Sequence, residues 1–201
     1  MAQAARVLMQ VLRTNLLTCD KIAASLDEEL QMVVNYASLR HETNPFLPLP
    51  VYDIAKDVDL SSMIPSMIIQ IPVENALKHA FVGMEETSLK PSLTVKIWIE
   101  DGILRIDVID NGCGGVGAAN SRKKVNSAVS TGTGLRILNS TIEMLNAANK
   151  QKIYFIMHSN NNTDAEDDAN RGTIVSIGVP CEYNFDVNMD LIAGLPLETF
   201  E

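Results

Sequence analysis

The sequence has little of what marks fibrous, disulfide-rich or membrane-spanning chains. Its 201 residues include 3 cysteines, far apart and without a C-x-x-C pair, so we expect reduced thiols and no zinc site. With 8 prolines, 11 glycines and no repeating period, collagen-like, low-complexity and solenoid chains are excluded. No apolar run approaches the roughly 20 residues that cross a bilayer, and the first residues lack the pattern of a secretory signal. We therefore expect a cytoplasmic location.

Positive charge is also scarce. The chain has 16 Lys and Arg residues against 25 Asp and Glu residues, which gives a net charge of −9. This balance argues against a protein that follows nucleic-acid phosphates over a broad basic face. Hydrophobic residues make up 46% of the chain, enough to bury a core. We expect one domain with at most a small appendage.

Helical periodicity marks four segments. Residues 1–20 have the pattern of an amphipathic helix. Ser25 and Glu28 resemble a capping box, which predicts a second helix from there to Asn44. Residues 63–82 are the third candidate, with Pro65 in the first turn and Pro72 as a kink. The fourth helix follows Gly134 and has its apolar residues at helical spacing: Leu135, Leu138, Ile142 and Leu145.

Alternating apolar residues predict the strands between these helices. The predicted strands cover residues 51–54, 93–99, 104–110, 153–157 and 173–179. Asp101 and Gly102 separate the second strand from the third, and Asp-Gly between two such runs is a strong hairpin signal. The pattern predicts antiparallel pairing of these two strands, with the third one central in the sheet.

The first polar motif is Val73-Glu74-Asn75-Ala76-Leu77-Lys78-His79-Ala80, on the third predicted helix. Asn75, Lys78 and His79 stand at i, i+3 and i+4, so an amide, an ammonium and an imidazole share one face. An amide oxygen suits Mg²⁺ and an ammonium suits a phosphate chain. A solvated helix face with a salt-bridged Lys78 is the alternative.

The second motif, Asp110-Asn111-Gly112-Cys113-Gly114-Gly115, follows the strand that we expect at the centre of the sheet. Glycines let a backbone approach a flat ring closely, and a buried carboxylate can accept a hydrogen bond from an exocyclic amine such as adenine N6. A simple turn is the alternative, since Asp, Asn and Gly are ordinary turn residues.

The third motif, Gly132-Thr133-Gly134-Leu135, opens the fourth helix, where free N–H groups and the helix dipole favour an anion. The loop before it is rich in Ser, Asn and Gly, and we interpret it as a lid over phosphates. The motif lacks the G-x-x-x-x-G-K-[ST] of a P-loop, and it follows a loop rather than the strand that a Rossmann turn requires.

In this order and spacing, the motifs resemble those of the GHKL superfamily of ATPases, which includes gyrases and histidine kinases. The N box corresponds to VENALKHA and the glycine boxes to DNGCGG and GTGL. Residues 25–180, with SLDEELQMVVNYASLRHE and IPSMIIQIPVENALKHA, are similar to the LytS/YehU-type sensor histidine kinases. The resemblance implies an α/β Bergerat ATP-binding fold. This is an α+β two-layer sandwich, in which a mixed, mostly antiparallel sheet carries helices on one face and follows N-terminal helices.

The resemblance also implies the domain organisation. Residues 1–24 correspond to the end of a dimerisation and phosphoacceptor segment, residues 25–185 to the ATP-binding catalytic domain, and residues 186–201 to a C-terminal tail. By the same resemblance, Asn75 and Lys78 are catalytic residues, and Glu74, adjacent to Asn75, is the candidate catalytic base. Asn75 ligates Mg²⁺, Lys78 and His79 contact phosphates, and Asp110 binds adenine N6. The remaining ATP-binding residues are implied to be Gly112, Gly114, Gly132, Thr133, Gly134, Leu135 and Thr173.

The implied activity is transfer of the γ-phosphate of Mg²⁺·ATP to a histidine upstream of this chain, and then to a response-regulator aspartate. The three histidines present, His41, His79 and His158, do not lie in a phosphoacceptor context. The implied partners are ATP, the phosphoacceptor segment and a regulator of the LytTR type. The parent protein is implied to be a homodimer anchored in a membrane, and no nucleic-acid partner is expected.

Two other functions remain open from the sequence. An anti-sigma-factor-like serine kinase would keep the fold and change the acceptor, and a non-catalytic nucleotide-binding or dimerisation module would keep the pocket without turnover. Ile71 occupies the position of the water-activating glutamate of the gyrase branch, which argues against an ATP hydrolase.

Overall fold

The computed structural model describes residues 21–86, 89–112, 133–159 and 172–186. Our predictions for the first helix, the lid, Cys113, Gly114, Gly132 and the C-terminal tail lie outside these residues. The described elements are β1 Ala23–Ser25, α1 Leu26–Thr43, β2 Val51–Ile54, β3 Met63–Pro65, α2 Gln70–Asn75 with a π-helical turn Ala76–Ala80, a 3₁₀ turn Met84–Glu86, β4 Leu93–Glu100, β5 Ile103–Asp110, α3 Thr133–Ala148, β6 Tyr154–Ser159 and β7 Thr173–Pro180.

The main sheet has five strands in the order β2-β4-β5-β7-β6. β2 runs parallel to β4, and the other neighbours are antiparallel. The predicted hairpin is confirmed: Asp101 and Gly102 have φ of 53° and 72°, as a tight two-residue turn requires. β5 pairs along its whole length with β4 on one side and β7 on the other, which places Asp110 at the end of the central strand.

One face of this sheet forms the core. Side chains alternate along each strand, so that Val95, Ile106 and Ile177 are buried while Lys96 and Asp107 lie on the opposite, more accessible face. Apolar side chains from α1, α2 and α3 complete the same buried cluster. The expected α/β two-layer sandwich, with a mixed and mostly antiparallel sheet, is confirmed.

Helix α1 begins and ends where the sequence predicts. The Ser25 hydroxyl accepts from the Glu28 N–H at 3.2 Å, and the Glu28 carboxylate accepts from the Ser25 N–H at 2.9 Å. This capping box satisfies two N–H groups that the first turn leaves free. Asn44 is the C-cap residue. No helix in the described part of the chain is long and apolar enough to cross a bilayer.

The prediction of one helix over residues 63–82 was wrong at its start. Met63–Pro65 is a short strand that pairs antiparallel with β1, and Met67 then adopts a φ of 66°. A residue in the left-handed region interrupts a right-handed helix, so α2 begins only at Gln70. Pro72 therefore lies in the first turn, where its missing N–H costs no hydrogen bond, and it does not kink a longer helix.

Candidate functional site

Asp110 ends β5 as a largely buried carboxylate, 8% exposed. Its Oδ1 accepts from the backbone N–H of Gly112 at 2.9 Å and of Thr173 at 3.3 Å. Burial raises the pKa of Asp110 above its usual value, while the bonds from Gly112 and Thr173 oppose the shift. A carboxylate has about four lone-pair sites, so acceptor capacity remains for one more donor.

Two glycines let this strand end approach its neighbours. A Cβ on Gly112 would lie 2.2 Å from the carbonyl oxygen of Ala80, at the end of the π-helical turn. A Cβ on Gly172, which has a φ of +133°, would lie 1.9 Å from the Asp110 carbonyl oxygen. Because both obstacles are backbone atoms, no larger residue fits at either position without moving the backbone. The Asp110 turn is therefore packed directly against the end of α2.

Helix α2 carries the polar residues of the first motif. Asn75, half-buried, is the last α-helical residue, and the π-helical turn starts directly after it. Single π-helical turns inside α-helices occur often at functional sites. The Glu74 carboxylate accepts from Gln70 Nε2 at 2.8 Å and from Lys78 Nζ at 2.7 Å. Gln70, Glu74 and Lys78 thus form a connected row along one side of the helix.

The Lys78 ammonium is engaged with α1 as well as with Glu74. It lies 5.9 Å from the centre of the Tyr36 ring. Partial burial lowers the pKa of Lys78, but the hydrogen bond and the charge of Glu74 outweigh that effect, and the net result is a raised pKa. Lys78 therefore stays charged and available to an anion. His79, next in sequence, is exposed.

The start of α3 also adjoins α2. A Cβ on Gly134 would make an ordinary contact, at 3.8 Å, with the side chain of Ile71. Thr133 is the first residue of α3, and Leu135 packs against the core. Ile71 precedes Asn75 by one helical turn and Ala80 follows it by about one, so the two glycine motifs contact α2 on either side of Asn75.

Sequence reasoning missed the part of α1 that borders this site. Tyr36 lies beside Lys78, and Arg40 Nη2 donates to the carbonyl oxygen of Leu77 at 3.4 Å. With Glu29 these residues recur at i, i+7 and i+11, on one face of a helix. These three polar side chains interrupt the otherwise apolar face of α1. They were the signal that could have predicted polar contacts between α1 and α2.

Sequence relatives of this chain are found among bacterial sensor proteins. The sensor protein LytS of Staphylococcus saprophyticus is 34% identical over 110 residues, which is 53% of this chain. That of Bacillus anthracis is 25% identical over 183 residues, or 89% of this chain. The chain is homologous to the LytS sensor proteins. This confirms the resemblance to a LytS-type kinase that the motifs indicated.

The homologous part of LytS is small. The chain spans 17% of the staphylococcal protein and 29% of the Bacillus anthracis protein. No family model matches the chain. The histidine kinase domain of the blue-light activated kinase of Erythrobacter litoralis matches with a TM-score of 0.47 and 17% identity, over 89% of this chain and 72% of that one. The mycobacterial sensor histidine kinase MprB matches with a TM-score of 0.44 and 14% identity, over 79% of this chain and 95% of that one.

Proposed function

We propose that this chain is the ATP-binding catalytic domain of a two-component sensor histidine kinase. The observation that carries the proposal is the contact of both glycine motifs with α2. The turn after Asp110 packs at Gly112 against the backbone of Ala80, and Gly134, at the start of α3, lies beside the side chain of Ile71. This arrangement supports our proposal that the Asp110 carboxylate, the Asn75 amide and the start of α3 border one nucleotide site.

The adenine end of this site is formed by the central strand. Gly112 and Thr173 hold the Asp110 carboxylate by hydrogen bonds and leave it acceptor capacity, which suits the N6 amine of adenine. A buried carboxylate would discriminate strongly, because a base without that amine leaves the acceptor unpaired. Gly112 and Gly114 would line the ring.

The phosphate end is formed by α2 and the start of α3. Asn75 would hold Mg²⁺, Lys78 and His79 would contact the phosphates, and residues Gly132 to Leu135 would lie beneath them. The metal would supply charge neutralisation on the phosphate chain. Lys78 and His79 are both exposed residues outside the core, so they can reach a ligand without a change in the core.

Phosphoryl transfer needs orientation and charge neutralisation more than covalent help from the enzyme. The nucleophile is the imidazole of a histidine in an upstream segment. Glu74 is placed beside Asn75 with both carboxylate oxygens bonded, one to Gln70 and one to Lys78. When Lys78 turns to the phosphates, the released oxygen can accept the proton that the imidazole loses. Ile71 cannot orient a water molecule, which favours transfer over hydrolysis.

The partners follow from the same proposal. They are ATP, the phosphoacceptor segment of the same protein and a response regulator whose aspartate receives the phosphoryl group. A regulator of the LytTR type, a homodimer and a membrane-anchored parent with this domain in the cytoplasm complete the proposal. Homology to proteins named as sensors supports the proposal that the chain is part of a sensor kinase.

Calorimetric titration tests the nucleotide site directly. The chain should bind ATP, and Mg²⁺ should tighten the binding. Asn75→Ala should keep nucleotide binding but lose the effect of Mg²⁺, because the remaining groups do not include that amide ligand. ATP binding that is indifferent to Mg²⁺ in the unmodified chain would contradict the metal site. A non-catalytic module with a degenerate pocket would show no binding.

Phosphotransfer tests the reaction class. The chain is incubated with Mg²⁺ and ATP labelled at the γ-phosphate, together with a separate segment that carries the phosphoacceptor histidine. Label on that segment should be lost in acid and kept in alkali, as phosphohistidine is. Label that survives acid would instead identify a serine kinase, and Asn75→Ala should abolish transfer in either case.

A further inference from the structure

Glu29, on the first turns of α1, is buried, and it is not one of the residues proposed to bind the nucleotide. Its exposed fraction is 0%, and it is the only Asp, Glu, Lys or Arg side chain among the fully buried residues of the described part of the chain. Its carboxylate accepts from the backbone N–H of Met67 at 2.6 Å and of Ile69 at 3.3 Å, across about 40 positions of sequence. A buried charge is costly unless such bonds compensate for it.

The groups that Glu29 binds are those that begin α2. No side-chain cap is present at Ile69, the N-cap residue of α2. The N–H groups there need acceptors, and they are satisfied by a carboxylate from another helix. The same contact holds Met67 in its left-handed conformation, φ 66°, which is unfavourable for a side chain of this size. The turn before α2 therefore depends on Glu29 for its shape.

A second contact fixes how α1 lies along α2. Glu29 binds the start of α2, and eleven residues later Arg40 donates to Leu77, in the turn after Asn75. Glu29 precedes Arg40 on α1, and their partners, Met67 and Leu77, occur in the same order along the chain. The two helices thus run side by side in the same direction, and Asn75 lies between their two polar contacts.

We infer that Glu29 is a positioning residue of the nucleotide site: by capping α2 from α1, it sets where Asn75 and Glu74 stand relative to Asp110. This inference depends on the function proposed above. Asp110 is held by the sheet and does not depend on this cap. Loss of the cap should therefore impair the metal-dependent part of ATP binding and leave the metal-free part.

The experiment compares Glu29→Met, Glu29→Gln and the control Glu42→Gln in the full chain. Met fills the same space without an acceptor, and Gln keeps one acceptor. Glu42 is exposed on the last turn of the same helix. ATP affinity is measured with and without Mg²⁺ at about pH 8, where a carboxyl whose pKa burial has raised to about 7 is mostly ionised.

Loss of the cap should weaken binding of Mg²⁺·ATP by about tenfold in Glu29→Met and less in Glu29→Gln, with metal-free ATP affinity unchanged. The Glu42→Gln control should match the unmodified chain. Should Glu29→Met fail to fold, Glu29→Gln decides. A lower melting temperature with both affinities unchanged would overturn the inference and leave the proposed function standing.

NMR measured without nucleotide tests the role of Glu29 separately from the proposed ATP-binding function. In Glu29→Gln, the NMR signals of the Asn75 side-chain amide should shift, while those of residues in β5 should not. If the unmodified chain does not bind ATP, the proposed function fails and the inference about the site fails with it. If the chain binds Mg²⁺·ATP but the Asn75 signals stay in place, the inference alone is refuted.

Discussion

The two halves of the candidate site are stabilised in different ways. β5, which carries Asp110, is bonded to a neighbouring strand on both sides along its whole length. α2, which carries Asn75, has six α-helical residues and one π-helical turn, and its start is capped by Glu29 from another helix. The sheet half is rigid because its bonds repeat along the strand. The helix half depends on a few contacts with α1.

This difference has a consequence for function. The proposed adenine-binding group is preorganised by the sheet, whereas the position of the proposed metal-binding group depends on the contacts of α2 with α1. A nucleotide could therefore be held at its base while the geometry at its phosphates is adjusted.

Gly112→Ala should destabilise the protein by about 3 kcal/mol, the upper end of what overpacking typically costs. The added methyl group would overlap the backbone of Ala80, which cannot rotate away as a side chain can. Chemical denaturation measures the loss. Gly134→Ala is the matched control: it adds the same methyl group to an open helical position, where it should be neutral or stabilising by up to about 1 kcal/mol. Equal effects of the two changes would contradict the tight contact at Ala80.

The second prediction concerns Glu29 and pH. Burial raises its pKa from 4.5 to about 7, so the folded protein holds this proton more tightly than the unfolded chain does. That contribution to stability is complete below pH 4.5 and is lost as the pH rises through 7. At 1.36 kcal/mol per pKa unit, it amounts to about 3 kcal/mol at most.

Denaturation between pH 4 and pH 8 measures this slope. Glu28 is the charged neighbour that adds to the shift, while N–H bonds from Met67, Ile69 and Gln70 oppose it. Glu29→Gln should flatten the pH dependence in this range, and Glu42→Gln should keep it. An unchanged slope in Glu29→Gln would mean that another group causes the pH dependence.

Asp110→Asn should weaken ATP binding by about 1.5 to 3 kcal/mol, because it removes a charged acceptor. The fold should persist, since the remaining oxygen can still accept from Gly112. Asp107→Asn, on the same strand but facing away from the core, should leave the affinity unchanged. Calorimetry on both variants distinguishes a local effect from a change in net charge.

Removing the Lys78 ammonium should have the smallest effect on stability. Its ion pair with Glu74 is a partly exposed i,i+4 pair, 43% and 20% exposed, and such pairs contribute about 0.5 kcal/mol or less. Lys78→Met should therefore leave the denaturation midpoint almost unchanged while it reduces phosphotransfer. A large loss of stability would assign Lys78 to the contact between α1 and α2 rather than to a ligand.

Much of the secondary structure could be predicted from local sequence patterns. The capping box at Ser25, the Asp101-Gly102 turn and the alternating strands all appear where the sequence predicts them. In each case the deciding interactions join residues close in sequence. The start of α2 could not be found in this way, because Met63–Pro65 pairs with a strand some forty residues earlier and Glu29 then caps the helix.

The candidate site also combines features predicted from local sequence with contacts that only the tertiary structure shows. The residue types and their order in the three motifs predicted a nucleotide site and the residues that would bind it. Only the tertiary structure showed that Thr173 bonds to Asp110, that Gly112 meets Ala80 and that Glu29 caps α2. The Asp101-Gly102 turn and the capping box at Ser25 are decided within a few residues, but contacts between distant segments, the Glu29 cap among them, depend on how the whole chain packs, and no local pattern encodes that.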